Sequence, residues 1–213
     1  VLTDYELYRD LNLGGFQIDR GKGQHDRIRF SKENNFPFYA GHVADKGYLY
    51  LKGDDRDAVM RKPGLLTRPV CLADPDVIQQ MKAHIRDNIS DLKNGRAAAY
   101  ALDDEISLGT FVNPADVDIH PLTLEKFQGW LESTYGTVGA LNRQWETRFS
   151  SFDRVRPKGF EEIRRTLSDR TFTNWNMSAW MDFRHFMDIH FAAVLSELTA
   201  FANQMDPARP AGF

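Results

Sequence analysis

Hydrophobic positions along this chain switch repeatedly between two spacings. From Thr3 to Asn12, Tyr5, Leu7, Tyr8 and Leu11 recur at helical intervals, and Gly14-Gly15 stops the run. Phe16-Gln17-Ile18-Asp19 then alternates as a strand does. His25 to Asn35 predicts a second helix ending at Asn34-Asn35, and the apolar, aromatic run Phe36 to His42 suits a buried strand. Ala44 to Leu72 is rich in Gly, Lys, Arg and Asp without clean periodicity, which predicts a long loop. Long loops inside compact domains are usually functional.

Asp74-Pro75 marks a helix start, because Asp caps free amides and Pro fits the first helical position, where no donor is needed. Val77, Ile78, Met81, Ile85, Ile89 and Leu92 then share one face until Asn94-Gly95 ends the helix. Ala97 to Leu102 is small and apolar and reads as a buried strand, with Asp103-Asp104-Glu105 at its C-terminal end. A long insertion follows. Leu122 to Tyr135 and Thr137 to Trp145 predict amphipathic helices, a mixed segment runs through Arg165, and Asn174 to Met205 predicts one long helix. Its stripe is Trp180, Phe183, Met187, Phe191, Val194, Leu198 and Phe201. Arg209 to Phe213 reads as another strand. Trp130, Trp145 and Trp180 lie on predicted helices and are expected in the core; His185 and His190 sit on the long helix, away from the strand ends.

Helices alternating with nearly continuous apolar strands are the pattern of parallel α/β architecture, whose active sites lie at the strand C-termini. The candidates there are Asp19, His42 and Asp103 to Glu105, with Arg68 reaching in from the long loop. Composition narrows the chemistry. Lys plus Arg total 27 against 30 Asp plus Glu, a net charge of -3, which argues against a nucleic-acid partner. No apolar run reaches the length of a membrane span, so no membrane partner is expected. Cys71 is the single cysteine and cannot form an internal disulfide or a cysteine-rich zinc site. The chain opens on Val1-Leu2-Thr3 and stops at Pro210-Ala211-Gly212-Phe213, so neither end reads as a domain edge; compartment stays open.

Three adjacent acids at a strand end crowd one another, and crowding is one way to hold a carboxyl protonated as a general acid. Glycosyl transfer needs such a donor for the departing oxygen, with a second carboxylate at the anomeric carbon. Along a continuing strand Asp103 and Glu105 would share a face and Asp104 would not, and Glu105 is the chosen donor. Two other readings stand beside it: the acids cap a following turn and face water, or they hold a hard cation. The cation is the weaker, since neither a calcium-loop spacing nor a His-Glu-x-x-His motif is present.

Leu102-Asp103-Asp104-Glu105-Ile106-Ser107-Leu108-Gly109 resembles the end of the fourth strand in clan A glycoside hydrolases, and of family 42 β-galactosidases in particular. Phe127-Gln128-Gly129-Trp130-Leu131, Tyr135-Gly136-Thr137, Ala140-Leu141-Asn142 and Trp145 resemble the helix-turn-helix that follows. Ser151-Phe152-Asp153 and Asp182-Phe183-Arg184-His185-Phe186 match as well. The resemblance covers roughly Phe36 to Phe213. It implies one part of a (β/α)8 barrel, strands two to five, spanning residues 1–213, with 106–175 as a helical and loop insertion after strand four. It implies retaining hydrolysis of a β-linked glycoside without cofactor or metal, with Glu105 as acid/base and Asp104 at a sugar-binding position; Asp19 and His42, by their places at strand ends, and Arg68, by its place on the long loop, are the further candidates for binding sugar. The nucleophilic Glu would come from strand seven, outside this chain, so the chain alone would be inactive, and the parent could be a homo-oligomer. Asp104 stands where the family has Asn. A non-catalytic carbohydrate-binding barrel and a clan A hydrolase of other specificity are the alternatives.

Overall fold

Four strands running in the same direction carry the candidate residues in the computed structural model, which describes residues 5–19, 21–49, 51, 53–61, 64–109, 116–167 and 175–213. In chain order the elements are α1 (Tyr5–Asp10), β1 (Phe16–Asp19), α2 (Gln24–Glu33), β2 (Phe38–Gly41), α3 (Gly53–Arg61), β3 (Leu65–Leu66), α4 (Pro75–Leu92), β4 (Ala97–Ala101), β5 (Asp116–Val117), α5 (Pro121–Tyr135), α6 (Val138–Trp145), a 3-10 turn (Phe152–Arg154), α7 (Phe160–Leu167), α8 (Ser178–Met205) and β6 (Ala211–Gly212). The chain forms an α/β fold divided into two compact units.

The first unit comprises Val1–Leu49, Ile78–Ile106 and Leu195–Phe213. Its sheet has the order β1-β2-β4-β6, and every neighbouring pair is parallel. Phe16 pairs with Phe38 and Asp19 with Gly41, so the ends of β1 and β2 lie level. The β2–β4 ladder continues past both strands, with Val43 N–H donating to the Ala101 carbonyl (3.2 Å) and Ala44 N–H to that of Leu102 (2.8 Å). Ile18, Phe38, Ala40, Met81, Ile85, Ile89, Tyr100, Leu102 and Leu198 are buried. Each large apolar side chain removed from water in this way is worth about 1.5–3 kcal/mol.

The predicted α4 forms for the predicted reason. Asp74 Oδ1 accepts the Asp76 N–H at 2.9 Å, Pro75 occupies the first turn, and Ile78, Met81, Ile85, Ile89 and Leu92 are buried. Gly95 follows where a Cβ would stand 2.8 Å from the Phe38 ring, a close approach that only glycine permits without a shift. β2 departs from the expected fully buried strand: Phe38 and Ala40 are buried, whereas Tyr39 remains 47% exposed. The strand therefore buries one face, as period-two geometry allows.

The second unit, Tyr50–Val77 and Ser107–Val194, holds the parallel pair β3-β5 and an aromatic core. Phe127 contacts Trp130, Trp145, Phe183 and Phe186. Asp182 accepts from the Tyr135 hydroxyl (2.5 Å) and the Trp145 indole (2.7 Å). Burial and this carboxylate push the Tyr135 phenol up to about 12. The segment expected as one loop from Ala44 to Leu72 instead contains α3 and β3, and the mixed segment before Arg165 contains the 3-10 turn and α7. The expected starts of the first helix at Thr3 and of the long helix at Asn174 lie outside the described residues.

Candidate active site at the sheet's C-terminal edge

Because β1, β2 and β4 are parallel, their C-terminal ends meet along one edge of the first unit. Asp19 ends β1, His42 follows β2, and Asp103 to Glu105 follow β4. The structure thus gathers four of the expected positions, Asp19, His42, Asp104 and Glu105, together with Asp103.

Backbone conformation at this edge is unusual. His42 and Glu105 both have φ of 52° and Asp45 has φ of 71°, the left-handed region that non-glycine residues enter at a cost of on the order of 1–3 kcal/mol each. The turn is closed by the Asp45 N–H donating to the His42 carbonyl at 3.0 Å, and Asn88 of α4 donates to the Val43 carbonyl at 2.8 Å. These bonds fix the backbone on either side of the His42–Val43 peptide.

Strand alternation does not sort the three acids, because β4 has already ended at Ala101. Asp103 turns inward and is buried, whereas Asp104 and Glu105 are both exposed. Asp103 Oδ1 sits 3.0 Å from His42 Nδ1 and accepts the Asp104 N–H at 2.9 Å, while its buried Oδ2 has no hydrogen-bond partner among the described residues. Burial pushes the Asp103 carboxyl above its ordinary range, and the two hydrogen bonds oppose that shift. Asp104 goes the other way: the ammonium of Lys46, 2.6 Å from its Oδ1, holds it below the usual carboxylate range. The same ammonium lies 3.7 Å from Glu105 Oε2.

On its other side, His42 presents Nε2 4.0 Å from Asp19 Oδ1. Gln17 donates to that oxygen at 2.6 Å and accepts from the Tyr39 hydroxyl. A Cβ on Gly41 would stand 2.3 Å from Asp19 Oδ1, so the missing side chain leaves the space in which this carboxylate rests. Arg68 belongs to the second unit, where it is buried and its backbone N–H donates to Asp118 Oδ1 at 2.9 Å; burial lowers its guanidinium to about 10. Lys46, Gln17 and Tyr39 were missed in the sequence. The available signal for Lys46 was a Gly-His-Val-Ala-Asp-Lys-Gly run directly after a strand.

Among the described residues, ligand atoms of His42, Asp103 and Asp104 lie within 4.8 Å of one another, close enough to share a cation. Lys46 already supplies a positive charge to Asp104 in that group. The arrangement is an exposed Glu beside an ion pair, backed by a buried Asp103 against a half-buried His42, which suits proton transfer and hydroxyl binding better than metal chemistry.

The β-galactosidase family, glycoside hydrolase family 42, matches residues 68–211, and the chain belongs to this family. No curated protein matches the chain in sequence. Among solved structures, a β-galactosidase from Rahnella sp. R3 is similar, with a TM-score of 0.61 and 13% identity over 98% of this chain and 32% of that one. A β-galactosidase from the psychrophilic Marinomonas ef1 gives 0.61 and 14% over 98% of this chain and 34% of its own. An exo-β-agarase gives 0.59 and 15% over 98% and 27%. The chain therefore spans about a third of the length of these structures, and they share its α/β fold with a parallel sheet.

Proposed function

We propose that these residues form the acid/base part of the active site of a retaining glycoside hydrolase, on strands two to five of a (β/α)8 barrel. The parallel order β1-β2-β4-β6 supports that reading of the strands. The observation that carries the proposal is the position of Glu105: an exposed carboxyl on the strand-end segment of a family 42 chain, beside a buried Asp103. The substrate is a β-linked galactoside. The likeness to an exo-β-agarase makes the end of a galactan chain a second substrate to assay.

In the first step Glu105 gives its proton to the glycosidic oxygen as the bond from the anomeric carbon breaks. A second carboxylate, from outside residues 1–213, bonds to that carbon. In the second step the Glu105 carboxylate takes a proton from water, whose oxygen attacks the anomeric carbon and releases the second carboxylate. Asp104, His42 and Asp19 bind sugar hydroxyls. Asp103 orients the His42 ring, so that Nε2 faces the substrate side. The test uses the full-length enzyme. Glu105→Ala is expected to abolish turnover of glycosides with poor leaving groups, while azide restores turnover of activated aryl glycosides. Wild-type rates in that variant would remove Glu105 from the role.

A further inference from the structure

We infer that Lys46 is a positioning residue for Glu105, acting through an ion pair anchored on Asp104; this deepens the acid/base reading above and rests on it. Glu105 itself has few constraints. It follows the end of β4, occupies a left-handed backbone conformation, and its side chain is 57% exposed. A solvated Glu samples several rotamers, and holding one of them opposes its side-chain entropy. A general acid must nevertheless place its proton within hydrogen-bond reach of the departing oxygen.

Lys46 is held where Glu105 is not. The turn from His42 to Asp45 is closed by a backbone hydrogen bond, Val43 and Ala44 extend the β2–β4 ladder, and Asn88 clamps the Val43 carbonyl. From this fixed loop the ammonium reaches Asp104 Oδ1 at 2.6 Å and lies 3.7 Å from Glu105 Oε2. An ammonium carries three donors, so one anchors on Asp104 while another faces Glu105. Partly exposed ion pairs are weak. Such a pair is enough to bias a rotamer and too little to trap the carboxylate when it must give up or accept a proton. An acid at position 104 is then useful as the anchor that an amide could not provide by charge.

The experiment measures kcat and KM of the full-length enzyme on an alkyl β-galactoside, which needs the acid, and on 2,4-dinitrophenyl β-galactoside, whose leaving group does not. Lys46→Met is expected to lower kcat on the alkyl substrate by about three- to fivefold and to leave kcat on the dinitrophenyl substrate within about 1.5-fold, with KM nearly unchanged. Lys46→Arg should recover most of the loss. Equal losses on both substrates, or a change confined to KM, would overturn the assignment and make Lys46 a sugar-binding or structural residue. If Lys46→Met fails to fold, Lys46→Gln reads the same ratio. Glu105→Gln is run in parallel: if it keeps alkyl-galactoside turnover, the acid/base reading has failed, and if it loses turnover while Lys46→Met leaves the ratio intact, only the Lys46 inference has failed.

Discussion

At Asp103 burial and charge oppose each other. Its folded carboxyl lies above the ordinary carboxylate range because burial disfavours the ion. The sign of the linkage follows. A raised carboxyl stabilises the fold most fully below about pH 4, the ordinary Asp value, and that contribution disappears as pH rises through the folded value. Asn keeps an acceptor for His42 and for the Asp104 N–H without the charge. Asp103→Asn is therefore expected to match or exceed wild-type stability at pH 7, with its relative advantage shrinking toward pH 4. Denaturant melts of both proteins across that interval measure the difference, and an advantage that grows on acidification would contradict the argument. Gly41 gives a second residue-scale outcome. The atoms a new Cβ would meet are the ends of the Asp19 and Gln17 side chains, which can move. Gly41→Ala should thus leave the melting temperature nearly unchanged yet displace Asp19, raising KM with a smaller effect on kcat. The run of three acids was legible from sequence, but their division of labour was not: β4 stops at Ala101, so neither face alternation nor spacing distinguishes Asp103, turned inward to His42, from its exposed neighbours.

At the scale of elements, legibility followed the amount of apolar surface each segment buries. The α4 helix announces itself through a capping Asp, a first-turn Pro and five apolar residues on one face. The α3 helix, Gly-Asp-Asp-Arg-Asp-Ala-Val-Met-Arg, opens with polar and charged residues and has no periodic stripe, while β3 is two residues long and too short for any pattern. β6 is equally short but was found because Arg209 to Phe213 follows a long helix, where a parallel sheet requires its next strand. What fastens β6 was not visible. Asp206, just past α8, accepts from the Tyr100 hydroxyl of β4 at 2.7 Å and from Arg209 at 2.5 Å. Burial alone would raise the Asp206 carboxyl, but these two donors outweigh it and hold it below the ordinary range. A depressed carboxyl stabilises the fold above the ordinary Asp value and loses that contribution as pH falls through the folded one. Tyr100→Phe removes one buried donor and is expected to cost about 1–3 kcal/mol at neutral pH, read by chemical denaturation, with the loss narrowing in acid. A variant as stable as wild type at pH 7 would show that this hydrogen bond does not hold the strand.

At the scale of the whole molecule, the sheet has two different faces. Ile18, Phe38 and Ala40 are buried, while Tyr39 and Gln17 stay exposed on the other side, and β1 and β6 are the edge strands among the described residues. Such a face and such edges are what a sheet offers when further strands complete it. The chain covers 32% and 34% of the length of two β-galactosidase structures. Retaining hydrolysis also needs two carboxyls about 5–5.5 Å apart, one as proton donor and one as nucleophile. Under the proposed function Glu105 supplies the first and residues outside 1–213 the second. The chain expressed alone is therefore expected to show no turnover of 4-nitrophenyl β-galactoside. The full-length enzyme should show turnover that Glu105→Ala removes for poor leaving groups. Turnover by the isolated chain that disappears in its Glu105→Gln variant would mean that both carboxyls lie within these residues, and the second would then be sought around Asp19 and Asp104, the other exposed acids of the same edge.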